Sequence, residues 1–368
     1  MIVTVTLNPA LDVTYEVDAL VVDATNRVTR TSAHAGGKGV NVARILRLLG
    51  TAGDTFSAGF GSVGKAARGT EVVALGLAGG ATGGELLADL DRAGIGHAFV
   101  ACAGETRRTV AVVDGGAGTV TMLNEPGPAV TPGEWKSLRD RLEGLLPEAS
   151  VVVLSGSLPP GLPPDAYATL VRLAGGYDVP AVLDAGGTAL RLALPAGPEV
   201  VKPNAAELAD ALSASAEDPA SPAARLPGAP GAPGDSADPS GLAKGAAWMR
   251  GEGARAVVVS DGPRGLYADT PDGRWRAVPP EVLGGNPTGA GDAAVAALAL
   301  GLVSGWDWPY ALVQAAALSA AAVGHPVAGR IDPEPYLGHV GRVRLDRVRA
   351  EDVRAEDAHE ESEGTPCR

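Results

Sequence analysis

The stretch Asn286-Pro287-Thr288-Gly289-Ala290-Gly291-Asp292-Ala293 stands directly before an Ala-rich, helix-favouring run from Ala293 to Val303. Two glycines around a small residue, followed at once by a helix, let backbone N–H groups turn inward. The helix start then offers unpaired donors and positive dipole to an anion, an oxyanion cradle. Read alone, Asp292 in that first turn serves equally well as an N-terminal cap.

Three further motifs accompany it. Gly36-Gly37-Lys38-Gly39-Val40-Asn41 opens a helix that is apolar at helical spacing and closes on Gly50. Lys202-Pro203-Asn204-Ala205-Ala206-Glu207 ends a strand, and Ser260-Asp261-Gly262-Pro263-Arg264-Gly265 follows the apolar run Ala256-Val257-Val258-Val259. In this order the four motifs resemble those of the ribokinase-like sugar kinases, the PfkB family. Within it they are similar to the hexose-phosphate branch typified by 1-phosphofructokinase and tagatose-6-phosphate kinase. The resemblance runs from Met1 to about Asp332, broken by insertions at about 51–70 and 214–240.

Composition sets bounds on this reading. A chain of 368 residues is long for one domain but within the range of a large α/β enzyme with a lid or insertions. Hydrophobic residues make up 45% and aromatics only 4%, so the core is expected to be built from Ala, Val and Leu. The formal charge of −13 argues against a nucleic-acid partner. Basic residues that meet an anionic ligand are therefore expected inside a cleft. Two distant cysteines, Cys102 and Cys367, indicate neither a disulfide framework nor a Cys-based metal site. Met1 leads straight into the strand-like Ile2–Leu7, and no apolar run reaches membrane-spanning length, so the expected location is the cytoplasm, with no membrane partner.

Along the chain, Asn8-Pro9-Ala10-Leu11-Asp12 reads as a turn and Thr14–Val17 as a short exposed strand. Gly59-Phe60-Gly61-Ser62-Val63-Gly64-Lys65-Ala66 fits the core of a phosphate-binding loop, but Ala66 stands where a hydroxyl is needed for Mg²⁺. It also falls in the first insertion, and we reject it as a nucleotide site. Thr109–Val113 and Thr119–Leu123 form a hairpin through Asp114-Gly115-Gly116. From Glu134 onward, helices alternate with continuous apolar strands, the pattern of a buried, mainly parallel sheet with helices on both faces. The Pro/Gly/Ala-rich second insertion reads as a flexible surface loop.

The resemblance implies a three-layer α/β/α fold with a mainly parallel central sheet and a small β-sheet lid from about 12–35 and 106–125. It implies a kinase domain over 1–335, leaving 336–368 as a charged, disordered tail, and it is compatible with a homodimer through the lid. It further implies ATP and Mg²⁺ as cofactors and a sugar phosphate as substrate. Asp292 would be the catalytic base, with Gly289, Ala290 and Gly291 stabilising the transferred phosphoryl. Asp12, Gly37, Gly39 and Asn41 would hold the sugar, and Lys38, Arg107 and Ser157 its phosphate, with Arg108 the alternative to Arg107. Lys202, Asn204, Ser260, Gly262, Gly265 and Gly291 would line the nucleotide. Asn204 and Glu207 would meet the metal through water, although the same pair at this spacing also makes a reciprocal helix cap. His325 lies where the family closes the adenine pocket and reads as packing or exposed. The chain departs from the family at Asp184-Ala185-Gly186-Gly187, where a hydroxyl-bearing turn is usual. The favoured substrate is fructose 1-phosphate, with tagatose 6-phosphate and fructose 6-phosphate as alternatives. A non-catalytic sugar-phosphate sensor would be expected to have lost Asp292 or the glycine cradle, and both are present.

Overall fold

Runs such as Val151-Val152-Val153-Leu154 leave a strand no face for water, so helices have to cover it on both sides. The computed structural model, which describes residues 1–51, 69–216, 239–280, 288–325 and 329–349, has that arrangement. Strand β1 (Ile2–Thr6) leads into β2 (Ala10–Val17) and β3 (Val28–Gly36), and the helix Lys38–Thr51 returns to the main sheet. There follow β4 (Val72–Ala78), the helix Gly80–Arg92, the short β5 (Gly96–His97) and β6 (Val100–Ala101), then β7 (Arg107–Asp114) and β8 (Thr119–Asn124). Helix Pro132–Leu145, β9 (Val151–Ser155), helix Ala166–Gly175, β10 (Ala181–Asp184) and helix Gly187–Ala193 continue the alternation. Next come β11 (Val200–Val201), helices Ala205–Ala216 and Pro239–Gly251, and β12 (Ala256–Ser260). The hairpin β13 (Leu266–Thr270) and β14 (Gly273–Val278) precedes helices Ala290–Ser304, Trp308–Val323 and Pro333–Val340, and β15 (Arg344–Arg347) ends the described chain.

The large sheet runs β15-β14-β13-β12-β11-β10-β9-β1-β4-β5, with β6 also paired to β4. From β12 through β5 neighbouring strands are parallel, and the β12–β15 end is antiparallel. Side chains alternate across it: Val151 and Val153 join one core with Val42, Ile45, Leu298 and Leu318, while Val152 and Leu154 join the other with Leu138, Tyr167 and Met249. Helix Ala290–Ser304 is buried from Ala293 to Gly301. An all-round apolar helix of small residues suits a site between the sheet and a second helix, here Trp308–Val323. The result is a three-layer α/β/α fold.

A separate four-stranded sheet, β3-β2-β7-β8, occupies the stretches expected to form the lid. β2 lies in its middle, antiparallel to β3 and parallel to β7. Asp12 is thus the third residue of a strand, opposite His34, rather than part of a turn. The turn ends at Pro9, because the β-branched and aromatic residues from Val13 onward gain partners on both sides. Thr14–Val17 likewise belongs to a longer and half-buried strand.

The expectation of a tail from residue 336 needs correcting. Helix Pro333–Val340 buries Tyr336, and β15 pairs with β14 in the register Trp275↔Arg347. A short charged strand at a sheet edge carries a weak apolar signal, and this one is also covered by Arg347 stacked 5.3 Å from the Trp275 ring. The ends of the second insertion are helical, at residues 214–216 and 239–240. The rejected phosphate-loop match, residues 52–68 and 217–238 of the two insertions, Asn286, Pro287 and residues 350–368 lie outside the described residues.

Candidate active site

Open α/β sheets bind ligands beyond the carboxyl ends of their strands. At that edge lies a cleft of about 680 Å³, walled on one side by the lid and on the other by the start of helix Ala290–Ser304. Gly289 caps this helix at φ 93°, a left-handed conformation that favours glycine. Ser319 on the neighbouring helix donates to the Ala290 carbonyl at 2.9 Å and steadies the turn. A Cβ on Gly291 would come within 3.2 Å of Lys202 Nζ, so the lysine reaches the cradle from the end of β11.

Asp292 follows the cradle and is only 5% exposed. Its Oδ2 accepts a 2.9 Å hydrogen bond from Asn41 Nδ2, donated from helix Lys38–Thr51. Burial, reinforced by the nearby Asp184 carboxylate, pushes the Asp292 carboxyl up to about 7, against the opposing pull of Asn41, Lys38 and Lys202. A carboxylate poised near neutrality at a cleft is suited to accept a proton.

Asp184, the first residue of the turn Asp184-Ala185-Gly186-Gly187, proves central. It ends β10 with a side chain 1% exposed, and its Oδ1 lies 3.2 Å from Lys38 Nζ and 3.5 Å from Lys202 Nζ. Lys38 also reaches Glu207 Oε1 at 3.4 Å. Burial opposes the charge on Lys38, yet Asp184, Glu207 and Asp292 together hold its pKa above the ordinary lysine value. Asn204 and Glu207 form the reciprocal cap: Asn204 N–H donates to Glu207 Oε2 at 2.9 Å, and Glu207 N–H to Asn204 Oδ1 at 2.8 Å. Glu207 Oε1 is left facing Lys38.

Among the described residues no group of three or more carboxylates, histidines or cysteines stands together for a metal, so a hard cation here would rest on few protein oxygens. Asp184 Oδ2 is buried with no hydrogen-bond partner among the described residues, and Glu207 and Asn204 line the same cleft.

The lid side supplies the remaining polar groups. Asp12 packs so closely on Gly36 that any Cβ there would overlap its carboxylate. Burial raises the Asp12 carboxyl to about 6, partly offset by Arg107, Thr109 and Arg44. Gly37 adopts φ 101°, and a Cβ would meet Thr6 Cγ2 at 2.9 Å. Neighbouring residues of a strand face opposite ways, which separates the two arginines. Arg107 lines the cleft and donates to the carbonyls of Asn8 (3.2 Å) and Glu125 (3.1 Å). Arg108 turns away and donates to Thr82 Oγ1 at 2.9 Å.

Of the expected residues, the structure brings Asp12, Gly37, Lys38, Asn41, Arg107, Lys202, Asn204, Glu207, Ser260, Gly262, Gly265 and Gly289–Asp292 to this one cleft. Ser157 lines an adjoining hollow that shares Lys38 and Arg107, where it accepts from Asn8 Nδ2 at 3.2 Å. Gly39 is corrected: it does not line the cleft, and a Cβ would strike Thr6 Oγ1 at 2.5 Å, so it serves close packing of helix on β1. His325 is not among the lining residues. Sequence reasoning missed Asp184, Thr109 and Asn8 as site residues. The placement of Asp184 at the carboxyl end of a buried strand was the available signal.

The pfkB family of carbohydrate kinases matches residues 5–335. Phosphofructokinase-2 from Escherichia coli, in complex with potassium, superposes with a TM-score of 0.76 at 26% identity, over 92% of this chain and 98% of that one. A protein described as a possible 1-phosphofructokinase from Thermotoga maritima gives 0.72 at 26%, over 95% and 100%. Ribokinase of Arabidopsis thaliana, with ribose and ATP, shares the fold at 0.67 and 19% identity, over 92% and 97%. With its family profile matched over nearly the whole length and its cleft built as described, the chain belongs to the pfkB family of carbohydrate kinases.

Proposed function

We propose that this kinase transfers the γ-phosphoryl group of ATP to a ketohexose phosphate, with fructose 1-phosphate as substrate and fructose 1,6-bisphosphate as product. The observation that carries the reading is the placement of a buried Asp292, at a glycine-capped helix start, in one cleft with the basic residues Lys38 and Arg107. The sugar-facing wall would be Asp12, Gly37 and Asn41. Arg107, with Lys38 and Ser157 beside it, would take the phosphate already on the sugar, using a planar fork that lysine lacks.

In the transfer, the Asp292 carboxylate accepts the proton of the attacking hydroxyl as that oxygen bonds to the γ-phosphorus. The bond from phosphorus to the ADP oxygen breaks, and ADP leaves. Amides of Gly289–Gly291 meet the charge on the transferred group, where preorganised donors act most strongly. Lys202 lies against the same cradle. Asn204, Glu207 and Asp184 would hold Mg²⁺, in part through water. When bound, the ion would neutralise charge on the nucleotide phosphates. Ser260, Gly262 and Gly265 would line the nucleotide, and its use goes with a cytoplasmic setting.

A structure of Escherichia coli phosphofructokinase-2 in complex with fructose 6-phosphate favours that sugar as a second reading, and tagatose 6-phosphate differs from these substrates only modestly. A homodimer through the lid belongs to the same proposal: Val120 and Leu123 on the outer strand β8 are 49% and 57% exposed. The test is magnesium-dependent ADP release across the three sugar phosphates. Preference for fructose 1-phosphate supports the reading, another preference reassigns the substrate, and sugar binding without ADP formation makes the protein a sensor.

A further inference from the structure

The lid strand β3 ends at the sugar-facing wall, and its last residues have a neighbouring strand on one side only. Ala35 pairs with Leu11 of β2, and beyond it on the other side the sheet stops. Ala35 is 0% exposed, so water cannot satisfy its outward-facing peptide groups. Two side chains do so instead. The Ala35 N–H donates to Asp89 Oδ2 at 2.9 Å, and Arg44 Nη2 donates to the Ala35 carbonyl at 3.1 Å. The same Arg44 nitrogen closes the ring with a 2.8 Å bond to Asp89 Oδ2. Arg92 holds the other carboxylate oxygen at 3.2 Å. Burial works against the Asp89 charge, yet the Ala35 N–H, Arg44 and Arg92 hold its carboxyl below the ordinary value.

The ion pair therefore stands in for an absent strand, and it does so at one residue. The importance of that residue lies in its neighbours. Gly36 lies against the Asp12 carboxylate with no room for a side chain, and Gly37 takes its left-handed turn directly into Lys38. Arg44 projects from the helix that carries Asn41 one turn earlier, and Asn41 holds Asp292. Asp89 comes from the helix Gly80–Arg92, whose other end is fastened to the foot of the lid. There Glu105 accepts from the Thr82 N–H at 2.5 Å and Arg108 donates to Thr82 Oγ1 at 2.9 Å. Neither Arg44 nor Asp89 lines the cleft.

We propose that Arg44 and Asp89 are positioning residues for the sugar-binding wall: by pairing both peptide groups of Ala35, they fix Asp12 and the Gly37 turn relative to the Asn41–Asp292 pair. The proposal rests on the sugar-phosphate kinase reading for its kinetic arm alone.

The test uses Asp89→Asn, which keeps one acceptor and the shape, Arg44→Lys, which keeps charge but loses the fork, and Asp89→Glu as the conservative rescue. KM values for fructose 1-phosphate and fructose 6-phosphate are measured beside KM for ATP, kcat and the melting temperature. A charge-assisted hydrogen bond lost at the wall is expected to raise the sugar-phosphate KM by about tenfold or more. KM for ATP should stay within about twofold, because the nucleotide side is held by other elements. The Arg44→Lys/Asp89→Asn double variant should be little worse than either single one, since the pair acts as a unit, and Asp89→Glu should recover part of the loss. Equal rises in both KM values, or a lowered melting temperature with both unchanged, would mean that the pair only supports folding and would overturn the proposal.

Amide hydrogen exchange on the ligand-free protein separates this from failure of the kinase reading. Peptides covering Val28–Gly36 should exchange about tenfold faster or more in Asp89→Asn, while Ala290–Ser304 is unchanged. Unchanged exchange in β3 overturns the anchoring whatever the kinetics show. Faster exchange in a protein whose wild type phosphorylates no sugar phosphate would sustain the anchoring and remove the kinase reading instead.

Discussion

Replacing Asp292 with Asn isolates the carboxylate without disturbing its shape, because Asn can still accept the hydrogen bond from Asn41. Two effects of opposite sign are expected. Catalysis loses its proton acceptor, a drop of about a hundred- to ten-thousandfold in kcat, while nucleotide affinity stays within a few-fold. In the wild type, kcat/KM should climb about tenfold per pH unit below neutrality and level off above pH 7, as the carboxyl ionises at about 7. Stability moves the other way. The carboxyl ionises at about 7 in the folded protein against 3.8 as its ordinary value, so the native state holds the proton more tightly than the unfolded chain. Stability from this group is fully present below pH 4 and is lost as pH rises through 7. The difference corresponds to roughly 4 kcal/mol as an upper figure. The Asn variant lacks that slope, so its melting temperature should equal or exceed the wild type's, by several degrees above pH 7. Magnesium-dependent ADP release and thermal melts from pH 5 to 8 measure both. Turnover within tenfold of wild type would refute the base assignment. A melting difference that does not vary with pH would refute the raised pKa of Asp292.

Other substitutions discriminate among neighbours. Arg107→Lys should raise the sugar-phosphate KM about tenfold or more through loss of the fork, whereas Arg108→Lys, which touches Thr82, should leave it within twofold; steady-state kinetics on both decides between them. Glu207→Gln removes one carboxylate beside Lys38 and part of the helix cap, so titration of magnesium should show an activation midpoint several-fold higher. Gly37→Ala forces a left-handed φ of 101° on a residue with a Cβ and meets Thr6. The expected result is a loss of about 1–3 kcal/mol in stability and a weakened sugar KM, read by denaturant melts and kinetics.

The layers of the fold were legible because the strands are continuous apolar runs and the helices between them keep their spacing. Asp292 and the glycines before it were legible because a Gly-x-Gly turn into a helix serves few purposes. The features that escaped depend on partners distant in sequence. Asp12 reads as a turn residue until β3 and β7 supply strands on both sides. Gly39 looks like a loop glycine, and only the approach of Thr6 shows that it packs a helix on β1. Asp184 gained its role from Lys38 and Lys202, 146 residues before it and 18 after, a meeting that no local pattern encodes. Arg107 and Arg108 became distinguishable once β7 was seen to begin at Arg107, since strand alternation then puts one inside and one out.

Phosphoryl transfer to a sugar phosphate, in the cleft shared by Asp292, Lys38 and Arg107, is decided by a single stoichiometry. The purified protein is incubated with ATP, Mg²⁺ and, in turn, fructose 1-phosphate, fructose 6-phosphate and tagatose 6-phosphate, and ADP is measured together with the bisphosphate formed. Equal amounts of ADP and sugar bisphosphate are expected, greatest with fructose 1-phosphate and abolished without Mg²⁺. ADP formation no greater than in the absence of sugar for all three, from a protein that binds ATP, would rule the transfer out.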